Sequence, residues 1–333
     1  MMNMKKWMNR LALSALTLAL ALPLLSAPPA RAAASGFYVS GSSLLDANGS
    51  SFVMRGVNNP HIWFDSQAYA ALTDIAAKGA NTVRIVWSTS GAASRLQQII
   101  DRCKALKMVS VIELHDVTGS NDAARLNDMA KYFARSDVKA VLNSNEKYAL
   151  VNIANEWGGS DLSDTAWRDA YQTAISTLRS GGINNTIVID GSGWGQNSSP
   201  IKAYGQTLLN YDPKHNVMFS IHMYGSWNDS SRIGTELQAI KNLGLAVTVG
   251  EFGYNYNNGS NNLGCKVNAQ EVLNQAQAKG IGYLAWSWTG NDSANSWLDL
   301  AASSDWKTLT SWGSLVFNGT NGIASTSKKA TVF

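Results

Sequence analysis

The chain is short of the residues that metal centres and crosslinked scaffolds consume. It has four histidines, His61, His115, His215 and His222, with no His-x-His pair. A metal-dependent barrel hydrolase needs clustered His and Asp ligands, so this supply argues against one, and no metal or cofactor is expected. There are only two cysteines, Cys103 in a helical pattern and Cys265 in a Gly/Asn-rich loop. A disulfide between them is not expected, because the architecture read below does not make their elements neighbours. There is no Pro/Thr/Ser-rich linker, no low-complexity tract and no exact internal repeat, and no second domain is needed. Net charge is also lacking once the N-terminus is set aside. Residues 1–34 carry four basic side chains (Lys5, Lys6, Arg10, Arg31) and no acidic ones. Without them the 27 Lys+Arg fall to 23, against 23 Asp+Glu. A near-neutral chain argues against nucleic acid or an anionic membrane as partner, and suits a neutral substrate.

Residues 1–34 read as a secretory signal peptide. A basic start precedes an apolar stretch from Leu11 to Leu25, which Pro23 interrupts, and Ala-Arg-Ala and Ala-Ala-Ala sites follow. The apolar run is too short for a membrane span. The expectation is export, cleavage after Ala34, and a secreted, extracellular monomer of one domain over residues 35–333, with no membrane contact after processing. Twelve Trp and eleven Tyr exceed what a core alone explains, and aromatic surface suits stacking on sugar rings.

Eight apolar, β-branched runs recur: 51–56, 81–87, 108–114, 148–154, 186–190, 217–223, 245–250 and 282–288. Helical patterns intervene at 69–78, 93–106, 121–135, 165–180, 232–242 and 269–279, and residues 200–210 allow a short helix. Such strands suit a parallel sheet buried on both faces. Eight β-then-α units predict an α/β fold, a (β/α)8 TIM barrel. Residues 37–45 with the Asn48-Gly49 turn predict a small N-terminal β-hairpin over the barrel floor. Residues 306–317 predict a closing helix.

In this fold, chemistry sits at the carboxyl ends of the strands. Those ends carry Asn58-Asn59-Pro60-His61-Ile62-Trp63, Arg84 with Trp87, Glu113-Leu114-His115-Asp116, Asn155-Glu156-Trp157, Gly191-Ser192-Gly193-Trp194, His222-Met223-Tyr224, Glu251-Phe252-Gly253 and Trp286-Ser287-Trp288. An ionised carboxylate beside a buried strand is paired or has work to do. Glu156 and Glu251, far apart in sequence, converge at one rim, and paired carboxylates are the machinery of glycoside hydrolysis.

Asn155-Glu156, His222-Met223-Tyr224, Gly250-Glu251-Phe252-Gly253 and Trp286-Ser287-Trp288, in this order and with Arg84 and His115, resemble glycoside hydrolase family five. The resemblance covers nearly the whole mature chain. Trp157 after Glu156, with FVMRGVN, DGSGWGQ, FSIHMYG, LAWSWTGN, WLDLA and the TVF tail, resembles the family's bacterial endo-β-1,4-mannanases rather than its cellulases. One departure is Asn59, where those mannanases commonly carry histidine. The resemblance implies retaining hydrolysis of mannan, galactomannan and glucomannan, with Glu156 as acid/base and Glu251 as nucleophile. It implies that Arg84 and Tyr224 hold Glu251 ionised while Glu156 keeps its proton. Asn155 binds the sugar 2-hydroxyl and Trp286 floors the subsite of the reacting sugar. Trp194 and Trp157 line leaving-group subsites, and Trp63 and His61 bind sugars on the other side. His115 and His222 orient carboxylates and sugar. Glu113 reads as a buried ion-pair partner and Trp288 equally as core or site.

Simple alternation places Asn155 and Glu156 on opposite faces. Both reach one site only where the strand bulges or has ended. Two other readings stay open: an endo-β-1,4-glucanase of the same family, since mannose and glucose differ only at the 2-hydroxyl, and a non-catalytic carbohydrate-binding barrel.

Overall fold

The computed structural model describes residues 34–333; the expected signal peptide lies, except for Ala34, outside them. The described chain opens with an antiparallel hairpin, β1 (Tyr38–Ser40) and β2 (Ser43–Leu45). Eight strands follow: β3 (Arg55–Asn59), β4 (Thr82–Trp87), β5 (Val109–Leu114), β6 (Ala149–Asn152), β7 (Ile187–Asp190), β8 (Val217–Met223), β9 (Val247–Phe252) and β10 (Gly282–Ala285). Each pairs in parallel with the next, and β10 closes on β3, giving a complete barrel without edges. The expected (β/α)8 fold is the fold observed.

The helices are α1 (Asp65–Ala77), α2 (Ala93–Ala105), α3 (Ala123–Ala134), α4 (Ser136–Ser144), α5 (Asp164–Ser180), α6 (Ser199–Tyr211), α7 (Ser230–Asn242), α8 (Ala269–Lys279), α9 (Ser311–Asn318) and α10 (Ile323–Thr326). Their starts follow local chemistry. The side chains of Asp122, Ser163, Asp229 and Asn268 each accept a first-turn N–H, and Gly280 ends α8 at φ +62°. Four elements depart from expectation, three of them helices. Helix α6 is a full 13 residues, begun by Ser-Pro. Helix α4 is an added segment that buries Val138, Val141 and Leu142. The closing helix begins only at Ser311, because residues 301–309 fold back on themselves through an Ala301–Leu309 bridge.

Strand β3 also starts later than expected. Ser51 and Phe52 pair with the hairpin instead, the Phe52 N–H reaching Leu44 O at 2.9 Å. This puts Phe52 and Met54 beneath the barrel. Together with Phe37 and Leu44 they pack on Val109, Val111, Leu150, Val188, Met218 and Leu284. The hairpin and these side chains form an apolar floor. Two residues further along the same strands come Glu113, Asn152, Asp190 and Ser220, all buried. The period of two in a strand thus converts an apolar layer into a polar one a single step higher.

Leu150 is fully buried in that floor. Leu150→Ala should lower the free energy of unfolding by about 2–5 kcal/mol. Denaturant melts read this loss, and the substrate KM should stay near that of the wild type.

Candidate active site

Arg84, on β4, stands at the centre of the polar layer. Its Nε donates to Asn152 Oδ1 (3.0 Å), its Nη1 to Asn58 Oδ1 (2.9 Å) and Glu251 Oε1 (2.8 Å), and its Nη2 to Asn155 Oδ1 (2.8 Å). Glu113 and Asp190 lie at 3.7 and 3.6 Å. Burial works against the guanidinium charge, but Glu113, Glu251 and Asp190 overcome it and hold its pKa above the ordinary value. A planar five-donor fork reaches partners on several strands in a way an ammonium cannot.

The two glutamates arrive by different backbone devices. Alternation along β9 would turn Glu251 outward. The β8–β9 register shifts between Ile221 and His222, so that Val249 faces Ile221 but Glu251 faces His222. Gly250 is the extra residue of this bulge. A Cβ there would meet Ser220 Oγ at 2.1 Å, so the close approach needs glycine. For Glu156 the strand has ended, with β6 finishing at Asn152. Glu156 itself adopts φ +48°, a left-handed conformation that costs a non-glycine residue roughly 1–3 kcal/mol. Its N–H donates to Asp190 Oδ2 (3.0 Å) and its carbonyl accepts the Gly119 N–H (2.9 Å). Of the two ways for Asn155 and Glu156 to share a site, the structure uses strand termination.

Carboxylate oxygens of Glu156 and Glu251 and a ring nitrogen of His222 lie within 4.8 Å of one another. His222 Nδ1 is 2.8 Å from Glu156 Oε1, and Tyr224 Oη donates to Glu251 Oε2 at 2.8 Å. Burial lowers the His222 pKa, but Glu251, Asp190 and Glu156 outweigh it and push the imidazole up to about 9. At neutral pH the ring is therefore a cation that donates to Glu156. Arg84 and Tyr224 contact Glu251 as expected and Arg84 pulls its carboxyl down, yet the net shift is upward. Burial raises it above its ordinary value, with Glu156 adding repulsion, while His222 and Arg84 pull the other way. The physical reason is burial, which penalises the charged form more than the neighbouring cations favour it. The Glu156, His222 and Glu251 trio is the one grouping of metal-ligand geometry among the described residues. Its donor atoms are already engaged, Glu156 by His222 and Glu251 by Arg84 and Tyr224, which suits a cation poorly.

A cleft of about 540 Å3 opens above the pair. It is lined among others by His115, Asn155, Glu156, Trp194, Tyr224, Glu251 and Trp286. His115 stacks on Trp286 (5.8 Å, 19°) and hydrogen-bonds Glu113 at 3.1 Å. Trp63, half exposed, sets its ring edge-on to His115 at 5.0 Å. Trp194, also half exposed, covers the other side and lies against Gly119.

Two expected ligand contacts are corrected. Trp157 is fully buried, donating to Asp122 O (3.0 Å) and packing edge-on against Tyr171, because the left-handed turn at Glu156 swings the next residue into the core. His61 is also buried, between Asn59 (3.1 Å) and Asp65 (3.8 Å), and burial lowers its pKa. Asn59 itself is fully buried, donating to Ala68 O, so this departure does not face the cleft. Trp288 is core and both cysteines are free and buried.

Sequence reading missed Asn58, Asn152 and Asp190 around Arg84, and Gln196 and Asn291 in the cleft. Asn291 accepts the Trp286 indole N–H at 3.0 Å. Asn152 and Asp190 end strands that are otherwise apolar, which marks their positions but not their partners, and Asn58 does not stand out in Arg-Gly-Val-Asn-Asn.

The family Cellulase (glycosyl hydrolase family 5) matches residues 45–292. The chain is 40% identical over 306 residues to a mannan endo-1,4-beta-mannosidase of Salipaludibacillus agaradhaerens, covering 90% of this chain and 96% of the relative. Among solved structures, a beta-mannanase from Thermomonospora fusca superposes with TM-score 0.83 at 34% identity, covering 90% of this chain and 99% of that one. A beta-mannanase from Streptomyces thermolilacinus with mannohexaose gives TM-score 0.81 at 37% identity, covering 89% and 98%.

The raised His222 pKa makes a stability prediction. A group raised from 6.5 to about 9 on folding contributes stability that is complete below pH 6.5 and is lost as pH rises through about 9. The unfolding free energy of the wild type should exceed that of His222→Gln at pH 6, and this excess should shrink by pH 9.5. A constant excess, read from urea melts, would contradict the assignment of the charge to His222.

Proposed function

Because the chain belongs to glycosyl hydrolase family 5, we propose that it is an exported endo-β-1,4-mannanase that cleaves internal mannosidic bonds with retention of configuration. The observation that carries the mechanism is the carboxylate pair, in which one oxygen of each group lies within 4.8 Å of the other. Retaining enzymes need carboxyl groups roughly 5–5.5 Å apart, whereas inverting ones leave room for a water between them. A mannan substrate is supported by the relative's name and by the mannohexaose-bound neighbour, and we extend it to galactomannan and glucomannan as the wider range.

In the first step Glu251 attacks the anomeric carbon, and the bond from that carbon to the leaving oxygen breaks. Glu156 gives its proton to that oxygen. Arg84 and Tyr224, each 2.8 Å from a Glu251 oxygen, hold the nucleophile in line and stabilise it as it departs in the second step. There Glu156 takes a proton from water, and the water oxygen displaces Glu251. Protonated His222 beside Glu156 favours the charge that appears on this carboxylate once its proton has left. Asn155, oriented by Arg84 and by Thr118 (3.0 Å), faces the cleft where the sugar 2-hydroxyl lies. Trp286 supplies the apolar floor, Trp63 continues it on one side and Trp194 on the leaving-group side. An exported, neutral protein fits a polymer met outside the cell, and N-terminal sequencing of secreted protein should begin at Ser35.

The deciding experiment is reducing-sugar release from galactomannan and from a soluble cellulose derivative in parallel. Release from galactomannan alone is expected. Activity mainly on the glucan would remove the substrate assignment and keep the carboxylate chemistry. Glu251→Ala should lose on the order of 10⁴-fold or more in kcat. Glu156→Ala should lose about 10²–10⁴-fold on polysaccharide but retain kcat/KM for dinitrophenyl glycosides, which need no acid. Because burial raises the Glu251 carboxyl, the acidic limb of kcat/KM should lie above 4.5.

A further inference from the structure

Asp190 ends β7 fully buried, and it is not among the residues that line the cleft. Both of its carboxylate oxygens accept. Oδ2 takes the Glu156 amide N–H at 3.0 Å and Oδ1 takes Asn152 Nδ2 at 3.2 Å. Two cationic groups flank it, Arg84 Nη2 at 3.6 Å and His222 Nε2 at 3.5 Å. Its own carbonyl is pinned by the Trp167 indole N–H at 3.1 Å. Glu156 lies beyond the end of β6, where no ladder bond is available to its N–H. That N–H belongs to a residue at φ +48°, a conformation L side chains rarely adopt.

We propose that Asp190 is a positioning residue for Glu156: by accepting the amide N–H it fixes the left-handed backbone from which the acid/base side chain is aimed. This role rests on Glu156 being the acid/base of the proposed reaction. The carboxylate is needed because it accepts at both oxygens. An amide of the same shape accepts at one and sets an NH2 against the other donor. Asp190 touches no substrate and acts through the groups it holds; its hydrogen bond is to the Glu156 amide, whereas Arg84 and His222 stand beyond hydrogen-bond distance at 3.6 and 3.5 Å, which assigns its main effect to the step that uses the Glu156 proton. A misplacement of about 1 Å in a reacting group costs on the order of 10²-fold.

The experiment measures kcat/KM for aryl β-mannobiosides with leaving groups from dinitrophenol to phenol, in full-length mature protein. Asp190→Asn should lower the phenyl value by ~10- to 100-fold and the dinitrophenyl value by about threefold at most, if positioning of the acid is what is lost. In a Glu156→Ala background the same substitution should add nothing to the phenyl loss. A loss uniform across the leaving groups, or additive in the double variant, overturns the inference. Wild type and Glu156→Ala are run first. If Glu156→Ala lacks leaving-group selectivity, the acid/base reading itself fails and this inference falls with it. Should Asp190→Asn not fold, Trp167→Phe removes the indole N–H that pins the Asp190 carbonyl and leaves the carboxylate and the partners of Arg84 in place. It should show the same selectivity at smaller size, and uniform loss there overturns the inference equally.

Discussion

One guanidinium, buried at the centre of a closed barrel, organises what lies above its apolar floor. Arg84 reaches Asn58 on β3, Asn152 on β6, Asn155 beyond it and Glu251 on β9, with Glu113 and Asp190 close by. A buried charge is costly unless it is paired and hydrogen-bonded. Here the pairing ties strands that are distant in sequence to one point. The same burial moves the Glu251 carboxyl up against the pull of His222 and Arg84, and the carboxylates of Glu251, Asp190 and Glu156 together draw His222 toward the cationic form. The charges of the site are thus properties of the cluster, not of any one pair.

Around this centre the backbone departs from regularity at the two places where chemistry is expected. Gly250 inserts one residue into β9 and turns Glu251 inward. Glu156 takes a left-handed turn, bracketed by Asp190 and by the Gly119 N–H. Bulges and sparsely populated conformations cluster at functional sites because the surroundings over-determine them. The same turn that presents Glu156 buries Trp157 beside Tyr171, so an aromatic next to the acid serves the core rather than the substrate.

The barrel was legible because eight apolar runs, each trailed by helical or turn chemistry, admit few other parallel arrangements. Both glutamates were legible because a carboxylate at the end of a β-branched run stands out. The inward amides Asn58 and Asn152 were not, since a single polar residue in a buried strand has no partner visible along the chain. Asp190 lay in plain view at the end of its strand, but its contacts come from β6, from the turn after it and from β8, which only the pairing of strands in the sheet brings to it. His61 and Trp157 were misplaced for a related reason. Nearness to a strand end in sequence sets which loop a side chain belongs to, not which way it faces.

Periodicity, which is local, was enough to specify the sheet, its order, and the rim on which polar residues gather. The positions of Glu156 and Glu251 near that rim follow from the same local pattern. What only the tertiary structure decided is orientation and charge: a one-residue bulge, a left-handed turn, and a protonated histidine between carboxylates. Each is set by groups tens to hundreds of residues away in the chain. Side-chain direction reverses with a single residue of register, and a pKa is fixed by burial and neighbouring charge. Neither exists until the barrel has closed around Arg84.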